Sequence, residues 1–277
     1  MDLPSGERAG PPPRLASGEE GRTIGGLAQR KDTVITLTSD FGAGSPYVAA
    51  MKARLLEGCP GAILVDVSHT VPPFDIISGA FVLWAGTRHF GPGAVHLVVV
   101  DPGVGSSRRA VAFALGGSWY VGPDNGVFGL LLAEATSTGS SPARPTTAIE
   151  LTRPDWASPT FEGRDVFAPA AAALAAGRSP STLGRPLEGD LQVLPLSGPA
   201  VLWVDDFGNL VTSVKPPARG LRIAGTEVRT VARTFSEAPP GELFVYEGSM
   251  GFLEVAVREG RAVDRIRARA GTLVHPL

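Results

Sequence analysis

The chain has 277 residues, of which 43% are hydrophobic and 19% charged, a globular composition with enough length for two domains. Its formal net charge of −2 and the absence of a basic stripe in the sequence argue against nucleic acid or an anionic membrane as a partner. A single cysteine, Cys59, excludes disulfide scaffolding and cysteine-ligated zinc, and the four histidines show no metal spacing. No apolar run reaches the roughly 20 residues of a membrane span.

Residues 1–31 are rich in Gly, Pro, Glu and Arg and show no hydrophobic periodicity. This composition predicts a disordered extension. The basic residues Arg8 and Arg14 are not followed by an apolar core, so the segment does not resemble a secretory signal. We therefore expect a cytoplasmic protein whose folded part begins near residue 32.

Between residues 32 and 190 the pattern alternates strands with helices, which predicts an α/β domain with a largely parallel sheet. The predicted elements are a strand opening on the β-branched run 33–37, a helix at 47–56, a buried strand at 62–67, a helix at 75–89, a buried strand at 95–100, short strands at 111–114 and 119–121, a helix opened by the turn at 123–126, and a helix at 165–176.

From residue 191 to residue 277 the apolar segments are short, alternating and separated by Gly, Asn and Pro. This pattern predicts an all-β, barrel-like C-terminal domain. Its predicted strands lie at 201–204, 221–223, 228–231, 243–246 and 252–257.

Three aspartates, Asp40, Asp66 and Asp101, fall at or just after the ends of predicted parallel strands. In open α/β sheets, ligands bind at the carboxyl edge of the strands. One such aspartate alone is more often a cap or turn residue, but three together predict a ligand-binding edge.

The loop that begins at Asp101 contains Gly103 and Gly105, and Arg108 follows it. Glycines let a backbone turn sharply or approach a ligand closely, although such a loop can also be a simple turn. No Gly-Lys-Ser/Thr follows, so this is not a phosphate loop. An arginine beside a carboxylate orients it, which makes Asp101 and Arg108 a candidate chemical pair.

Taken together, these motifs closely resemble the S-adenosylmethionine hydrolases, also called hydroxide adenosyltransferases, and the related fluorinating and chlorinating enzymes. The matching stretches occur in order over about residues 33 to 257, and they are 36–42 (TLTSDFG), 65–69 (VDVSH), 101–105 (DPGVG), 123–126 (PDNG), 160–165 (TFEGRD) and 205–209 (DDFGN). The resemblance implies an α/β domain followed by a β-barrel-like domain. It also implies a homotrimer with active sites between subunits, a small-molecule substrate, and no metal or organic cofactor.

The resemblance further implies roles for individual positions. Asp40 would bind the ribose hydroxyls, with Phe74 packing against the ribose. Phe207 and Asn209 would hold the adenine. Three residues would face the amino acid group of methionine: Asp205, Ser249 and Glu254.

The choice between water and halide rests on Asp101, because the halogenating enzymes have a tyrosine at this position. An anionic side chain would repel fluoride or chloride, but it can accept a hydrogen bond from water and help to deprotonate it. We therefore expect hydrolysis of S-adenosylmethionine to adenosine and methionine by in-line attack of water at the ribose C5′. The alternatives are a non-catalytic protein that binds S-adenosylmethionine or adenosine and, less favoured, a halide-using transferase.

The family pattern places an Asp, an Arg and a His around the water, and this chain departs from it at one position. Asp101 and Arg108 match, but Glu162 stands where the histidine is expected. Two neighbouring carboxylates can leave one of them able to take a proton near neutral pH, so Glu162 could replace the histidine as the base. Alternatively, Glu162 points away and the site is slower or altered.

Overall fold

The computed structural model describes residues 33–137 and 145–277, so the predicted extension at 1–31 lies outside the described residues. The elements of the first half are β1 (Val34–Ser39), α1 (Pro46–Gly58), β2 (Ile63–Ser68), α2 (Ile76–Thr87), β3 (Val95–Val99), β4 (Ala110–Leu115), β5 (Ser118–Pro123), α3 (Gly129–Ser137), β6 (Thr147–Leu151), α4 (Ala168–Ala175) and β7 (Gly184–Pro186). The second half contains β8 (Val201–Val204), β9 (Leu210–Thr212), β10 (Leu221–Ile223), β11 (Thr226–Val228), β12 (Leu243–Glu247), β13 (Leu253–Val257), α5 (Ala262–Ile266) and β14 (Val274–Pro276).

The first seven strands form one sheet in the order β2-β1-β3-β5-β4-β6-β7. The pairs β2/β1, β1/β3 and β3/β5 are parallel, whereas β4 is antiparallel to both of its neighbours and β7 is antiparallel to β6. The predicted α/β class with a largely parallel sheet is confirmed.

Both faces of the sheet are covered, as the alternation along β3 shows. Val95, Leu97 and Val99 face a core shared with α1 and α4, while Val98 faces a second core shared with α2. Successive side chains of a strand point to opposite faces, so β3, whose residues are all buried, is covered on both sides.

The prediction that the second strand is buried is wrong. In the structure β2 is the edge strand beside β1, and its residues are partly or largely exposed, with Ile63 48% exposed. The run of β-branched and aliphatic residues indicates a strand but does not distinguish an edge from a centre, since that depends on the strand order.

The order of the strands creates a crevice between β1 and β3. The chain leaves β1 through α1 to reach β2 on one side, and then passes through α2 to reach β3 on the other side of β1. In open α/β sheets, ligands bind at such a switch point, outside the carboxyl ends of the strands. Asp40 follows β1 here, and Asp101 comes shortly after β3.

The C-terminal half is rich in strands, as predicted, and the strands within each of its sheets pair antiparallel. Its strands form a three-stranded sheet, β11-β10-β14, and a four-stranded sheet, β12-β13-β9-β8, which share one apolar core. The four-stranded sheet also rests on α2, where Trp203 stacks on Phe81 with ring centroids 5.5 Å apart. The boundary placed near residue 190 stays a prediction.

One helix differs from its prediction. The segment expected to be helical from Asp165 onward begins with a wide π-helical turn, Gly163–Phe167, and the α-helical geometry starts only at α4. Wide turns of this kind are often found at functional sites. Here the turn comes directly after Glu162.

Candidate functional site

Asp101 and Arg108 form a buried ion pair at the carboxyl end of β3. The Arg108 guanidinium donates two hydrogen bonds to the carboxylate of Asp101: Nε lies 2.9 Å from Oδ1, and Nη2 donates to Oδ2. The side chains are only 5% and 9% exposed, respectively. Burial works against the charge of Arg108, but Asp101 and Glu162 outweigh this effect and raise the pKa of the guanidinium. A bidentate pair of this kind fixes the direction in which the carboxylate oxygens point.

Glu162 joins the same group. Its Oε2 accepts a hydrogen bond from Nη2 of Arg108 at 2.5 Å, and its Oε1 accepts one from Nε of Arg153 at 2.7 Å. Arg153 also donates from Nη2 to the carbonyl oxygen of Arg108, 2.7 Å away. We call Asp101, Arg108, Arg153 and Glu162 the Asp101 cluster. Glu162 therefore points toward Arg108, and Arg153 is a member that the sequence reasoning missed.

The backbone of the loop after Asp101 explains one of its glycines. Gly105 has a φ of +77°, and a Cβ at this position would lie 2.7 Å from the carbonyl oxygen of Pro159. A residue with a side chain would be strained in conformation and would clash with that carbonyl. The close approach brings the loop against the segment that leads to Glu162.

Asp40 lies across the crevice from the Asp101 cluster. Its Oδ2 accepts a hydrogen bond from the backbone nitrogen of Phe74 at 2.8 Å. Burial raises the pKa of Asp40, and the charge of Asp101 adds to this increase, while the hydrogen bond from Phe74 opposes it. The two carboxylates are thus within electrostatic reach of each other. Phe74 itself is 72% exposed.

The third aspartate of the predicted edge has other partners. Asp66 pairs with Lys52 at 2.6 Å and lies 3.1 Å from Nε2 of His69. Burial alone would raise the pKa of Asp66, but Lys52 and His69 hold it below its usual range. His69 is buried and shares a hydrogen bond with Ser39 at 2.7 Å through Nδ1. Asp66 thus belongs to a polar network on the outer side of β1.

The remaining predicted residues line a different part of the surface. A cavity of about 1410 Å³ lies between β2, α2 and the four-stranded sheet, and we call it the Asp205 cavity. Its lining includes five predicted substrate-binding residues, namely Asp205, Phe207, Asn209, Ser249 and Glu254. Asp101, Arg108 and Glu162 lie outside this lining. Within one chain, the structure therefore brings the predicted residues together as two separate groups.

Asp205 organises the tip of the turn between β8 and β9. Its Oδ1 accepts from the backbone nitrogen of Asn209 at 2.7 Å, and its Oδ2 accepts from the Asn209 amide at 2.8 Å. This bracing leaves Phe207, which lies between them in sequence, 77% exposed. An aromatic ring presented in this way is free to stack on a flat ligand.

Glu254 is a buried carboxylate in the same cavity. The hydroxyl of Tyr246, another residue that the sequence reasoning missed, donates to Oε2 of Glu254. Burial raises the pKa of Glu254 and the charge of Asp205 adds to it, although the hydrogen bond from Tyr246 opposes both. The Asp205 cavity therefore has an acidic wall, which suits a cationic ligand group.

Within residues 33–137 and 145–277, no cluster of three or more His, Cys, Asp or Glu side chains is arranged to hold a metal ion. Across the same ranges, no helix is both long and apolar enough to cross a membrane.

Two family models match the chain over most of its length. Residues 35–184 match the N-terminal domain of the SAM hydroxide adenosyltransferases, and residues 199–275 match the C-terminal domain of the same family. The chain belongs to this family. The resemblance drawn from the sequence motifs is confirmed, as is the two-domain family architecture.

Individual relatives agree. The chain is 46% identical over 252 residues to the (R)-S-adenosyl-L-methionine hydrolase of Thermus thermophilus, covering 86% of this chain and 97% of the relative. A crystal structure of an uncharacterized conserved protein from Thermotoga maritima superposes with a TM-score of 0.77 at 31% identity, covering 88% of this chain and all of that one. At lower identity, 27% over 300 residues, the chain matches a fluorinase from an Actinoplanes species, covering 87% of this chain and 96% of the relative.

Proposed function

We propose that this protein hydrolyses S-adenosylmethionine to adenosine and L-methionine. The family membership and the similarity to a hydrolase over nearly its whole length support this assignment. The observation that carries it is the Asp101 cluster at the switch point of the sheet, because a buried, oriented carboxylate there suits the activation of water.

The reaction is a displacement at the ribose C5′. The oxygen of water forms a bond to C5′ while the bond from C5′ to the sulfonium sulfur breaks, and the electron pair of that bond goes to sulfur. Methionine leaves as a neutral thioether, and the water proton passes to a carboxylate and then to solvent. The sulfonium is already a good leaving group, so the enzyme acts mainly by aligning the reactants and excluding competing water.

Within this proposal Asp101 accepts the proton. It is the member of the Asp101 cluster within electrostatic reach of Asp40, which would bind the ribose hydroxyls and so bring C5′ close. Arg108 orients Asp101, and Glu162 accepts hydrogen bonds from both Arg108 and Arg153. Glu162 then supports the base instead of replacing it.

Residues of the Asp205 cavity would complete the substrate-binding site. Phe207 and Asn209 would hold the adenine, while Asp205, Ser249 and Glu254 would face the amino acid group of methionine. Because this cavity and the Asp101 cluster are separate within one chain, we propose a homotrimer in which one subunit supplies the cavity and its neighbour supplies the cluster together with Asp40 and Phe74. Sedimentation equilibrium of the purified protein tests the trimer, and a stable monomer with full activity would contradict it.

We further propose that the reaction uses no metal or organic cofactor and takes place in the cytoplasm. The chemistry supports the first point, since a sulfonium needs neither a Lewis acid nor a redox partner to leave. Both remain predictions from the sequence and the reaction.

The direct test is to incubate the purified protein with S-adenosylmethionine and to quantify adenosine and methionine by liquid chromatography. Equal amounts of both products are expected, and the Asp101→Ala variant serves as the control for a contaminating activity. Binding without release of adenosine would favour a non-catalytic binding protein. Formation of a 5′-halogenated adenosine on addition of fluoride or chloride would favour halide transfer, which the carboxylate of Asp101 disfavours by charge repulsion.

A further inference from the structure

Arg153 is the second cation of the Asp101 cluster, and it binds Oε1 of Glu162, whereas Arg108 binds Oε2. Nε and Nη2 of Arg108 both donate to Asp101. Nη2 also donates to Glu162, so Glu162 shares this one donor with Asp101. The side chain of Glu162 is 4% exposed. Without Arg153, Oε1 of this buried carboxylate would lose its ion-pair partner at 2.7 Å.

The charges of the cluster balance only when Arg153 is counted. Asp101 and Glu162 contribute two negative charges, and Arg108 and Arg153 contribute two positive charges. Asp40 adds a further acidic group nearby. Removing one partner of a buried ion pair leaves an uncompensated charge, which is costly and drives the remaining groups to rearrange.

The backbone on both sides of Arg153 is restricted in conformation, which holds the base of its side chain in place. Strand β6 ends at Leu151, and the backbone nitrogen of Thr152 donates to the carbonyl oxygen of Leu183 at 3.0 Å. Pro154 follows, and a residue before proline is restricted to extended conformations. The guanidinium then bridges two elements, since it contacts Glu162 beside the π-helical turn and the backbone carbonyl of Arg108 beyond the Asp101 loop.

We infer that Arg153 is a positioning residue for hydrolysis: through its bonds to Glu162 and to the backbone of Arg108 it fixes the arginine that orients Asp101. The inference rests on the proposed hydrolase function. Arg153 is 33% exposed and reaches Asp101 only through Arg108 and Glu162, so it acts through other residues and not on the substrate.

The consequence is a specific pattern of kinetic effects. Loss of Arg153 disturbs the direction of Asp101 and not the binding of the ribose, adenine or methionine. The Arg153→Ala variant is therefore expected to lower kcat roughly fivefold with an unchanged KM, as for an interaction that matters mainly in the transition state. Arg153→Lys keeps the charge but not the forked geometry, and is expected to recover part of the lost rate.

A double-mutant cycle tests the inference. The kcat and KM for S-adenosylmethionine are measured for the wild type, Arg153→Ala, Glu162→Ala and the double variant, with circular dichroism and melting temperature as checks of folding. Because Arg153 acts mainly through Glu162, the double variant is expected to match Glu162→Ala alone. Independent, multiplying losses would overturn the inference, as would a rise in KM without a fall in kcat.

The matched control is Arg185→Ala, which breaks an exposed arginine–glutamate pair with Glu150 on the same sheet and is expected to leave kcat unchanged. If Arg153→Ala does not fold, the same cycle is run with Arg153→Lys. No adenosine from the wild type would reject the proposed function and this inference with it. If the wild type is active and the Arg153 variants have the same rate, the role of Arg153 is rejected but the proposed function is not.

Discussion

Asp40 accepts a hydrogen bond from the backbone nitrogen of Phe74, 2.8 Å away and 34 positions later in the chain. Phe74 has a φ of +66°, an unusual conformation for a residue with a side chain. The contact ties the loop after β1 to the loop before α2, and it holds the backbone of Phe74, whose side chain is exposed, against a half-buried carboxylate. Strain of this kind often accompanies functional positions, and here it lies where the ribose is proposed to bind.

The first prediction concerns Asp40→Asn. The substitution keeps an oxygen that can accept from Phe74 but removes the charge proposed to bind the ribose hydroxyls. Since hydrogen bonds to charged groups are stronger than neutral ones, KM is expected to rise about tenfold. An unchanged KM in steady-state assays would contradict the assigned role.

The same variant has a predicted effect on stability. The pKa of Asp40 is raised above its usual value of 3.8 by burial, so its charged form is disfavoured in the folded protein. A raised carboxyl pKa destabilises the fold above that pKa and has no such effect below the unfolded value. Asp40→Asn is therefore expected to melt at a higher temperature than the wild type at neutral pH, and this advantage should disappear as the pH falls below 3.8.

The second prediction separates the base from its support. Asp101→Ala is expected to lower kcat by about a hundredfold or more, as for loss of a general base, whereas Glu162→Ala is expected to lower it only about tenfold. Glu162→His restores the residue expected from the family pattern but leaves Arg153 without its anionic partner, so we expect it to remain below the wild type. Single-turnover rates measure all three.

An equal loss in Asp101→Ala and Glu162→Ala would mean that Glu162 is itself the base. A full rate in Glu162→Ala would exclude both a base role and a supporting role for this residue.

The third prediction concerns Tyr246→Phe in the Asp205 cavity. The variant removes the donor to the buried carboxylate of Glu254, so the free energy of unfolding at neutral pH is expected to fall by about 1–3 kcal/mol. Because the pKa of Glu254 is raised by burial, the loss should shrink in acid once this carboxyl group takes up its proton. Urea denaturation at several pH values measures it. Tyr47→Phe is the control, since Tyr47 is 55% exposed, and an equal loss there would count against the explanation.

The fourth prediction follows from the sulfonium leaving group, which needs no metal ion to depart. Treatment with a strong chelator, followed by its removal, is expected to leave the rate of adenosine formation unchanged. A loss of activity that is restored by one divalent cation would show that a metal takes part.

The sequence predicted the fold well where local patterns decide it. The largely apolar run of β3, the alternation of strands and helices in the first half, and the alternating segments of the second half indicate their structures locally. The edge position of β2 was not predictable in this way, because it depends on strand order. The strand β9 was not predicted, because its three residues are all buried and show no alternation, whereas β10, of the same length, alternates.

The same distinction applies to the site. Asp101 and Arg108 are seven positions apart, so their pairing could be proposed from the sequence. Arg153 reaches Glu162 from nine positions away across a turn, and its contact with the Arg108 carbonyl spans 45 positions. No local signal marks this arginine, apart from the proline that follows it.

The origin of the 5′-oxygen of the product shows directly whether water attacks C5′. The wild-type enzyme is incubated with S-adenosylmethionine in water enriched in the heavy oxygen isotope, and the adenosine is analysed by mass spectrometry with fragmentation. Attack of water at C5′ predicts that the label appears in the 5′-hydroxyl group and that the ribose hydroxyls at other positions carry none. No adenosine, or adenosine without label at that oxygen, would show that the enzyme does not hydrolyse S-adenosylmethionine by attack of water at C5′.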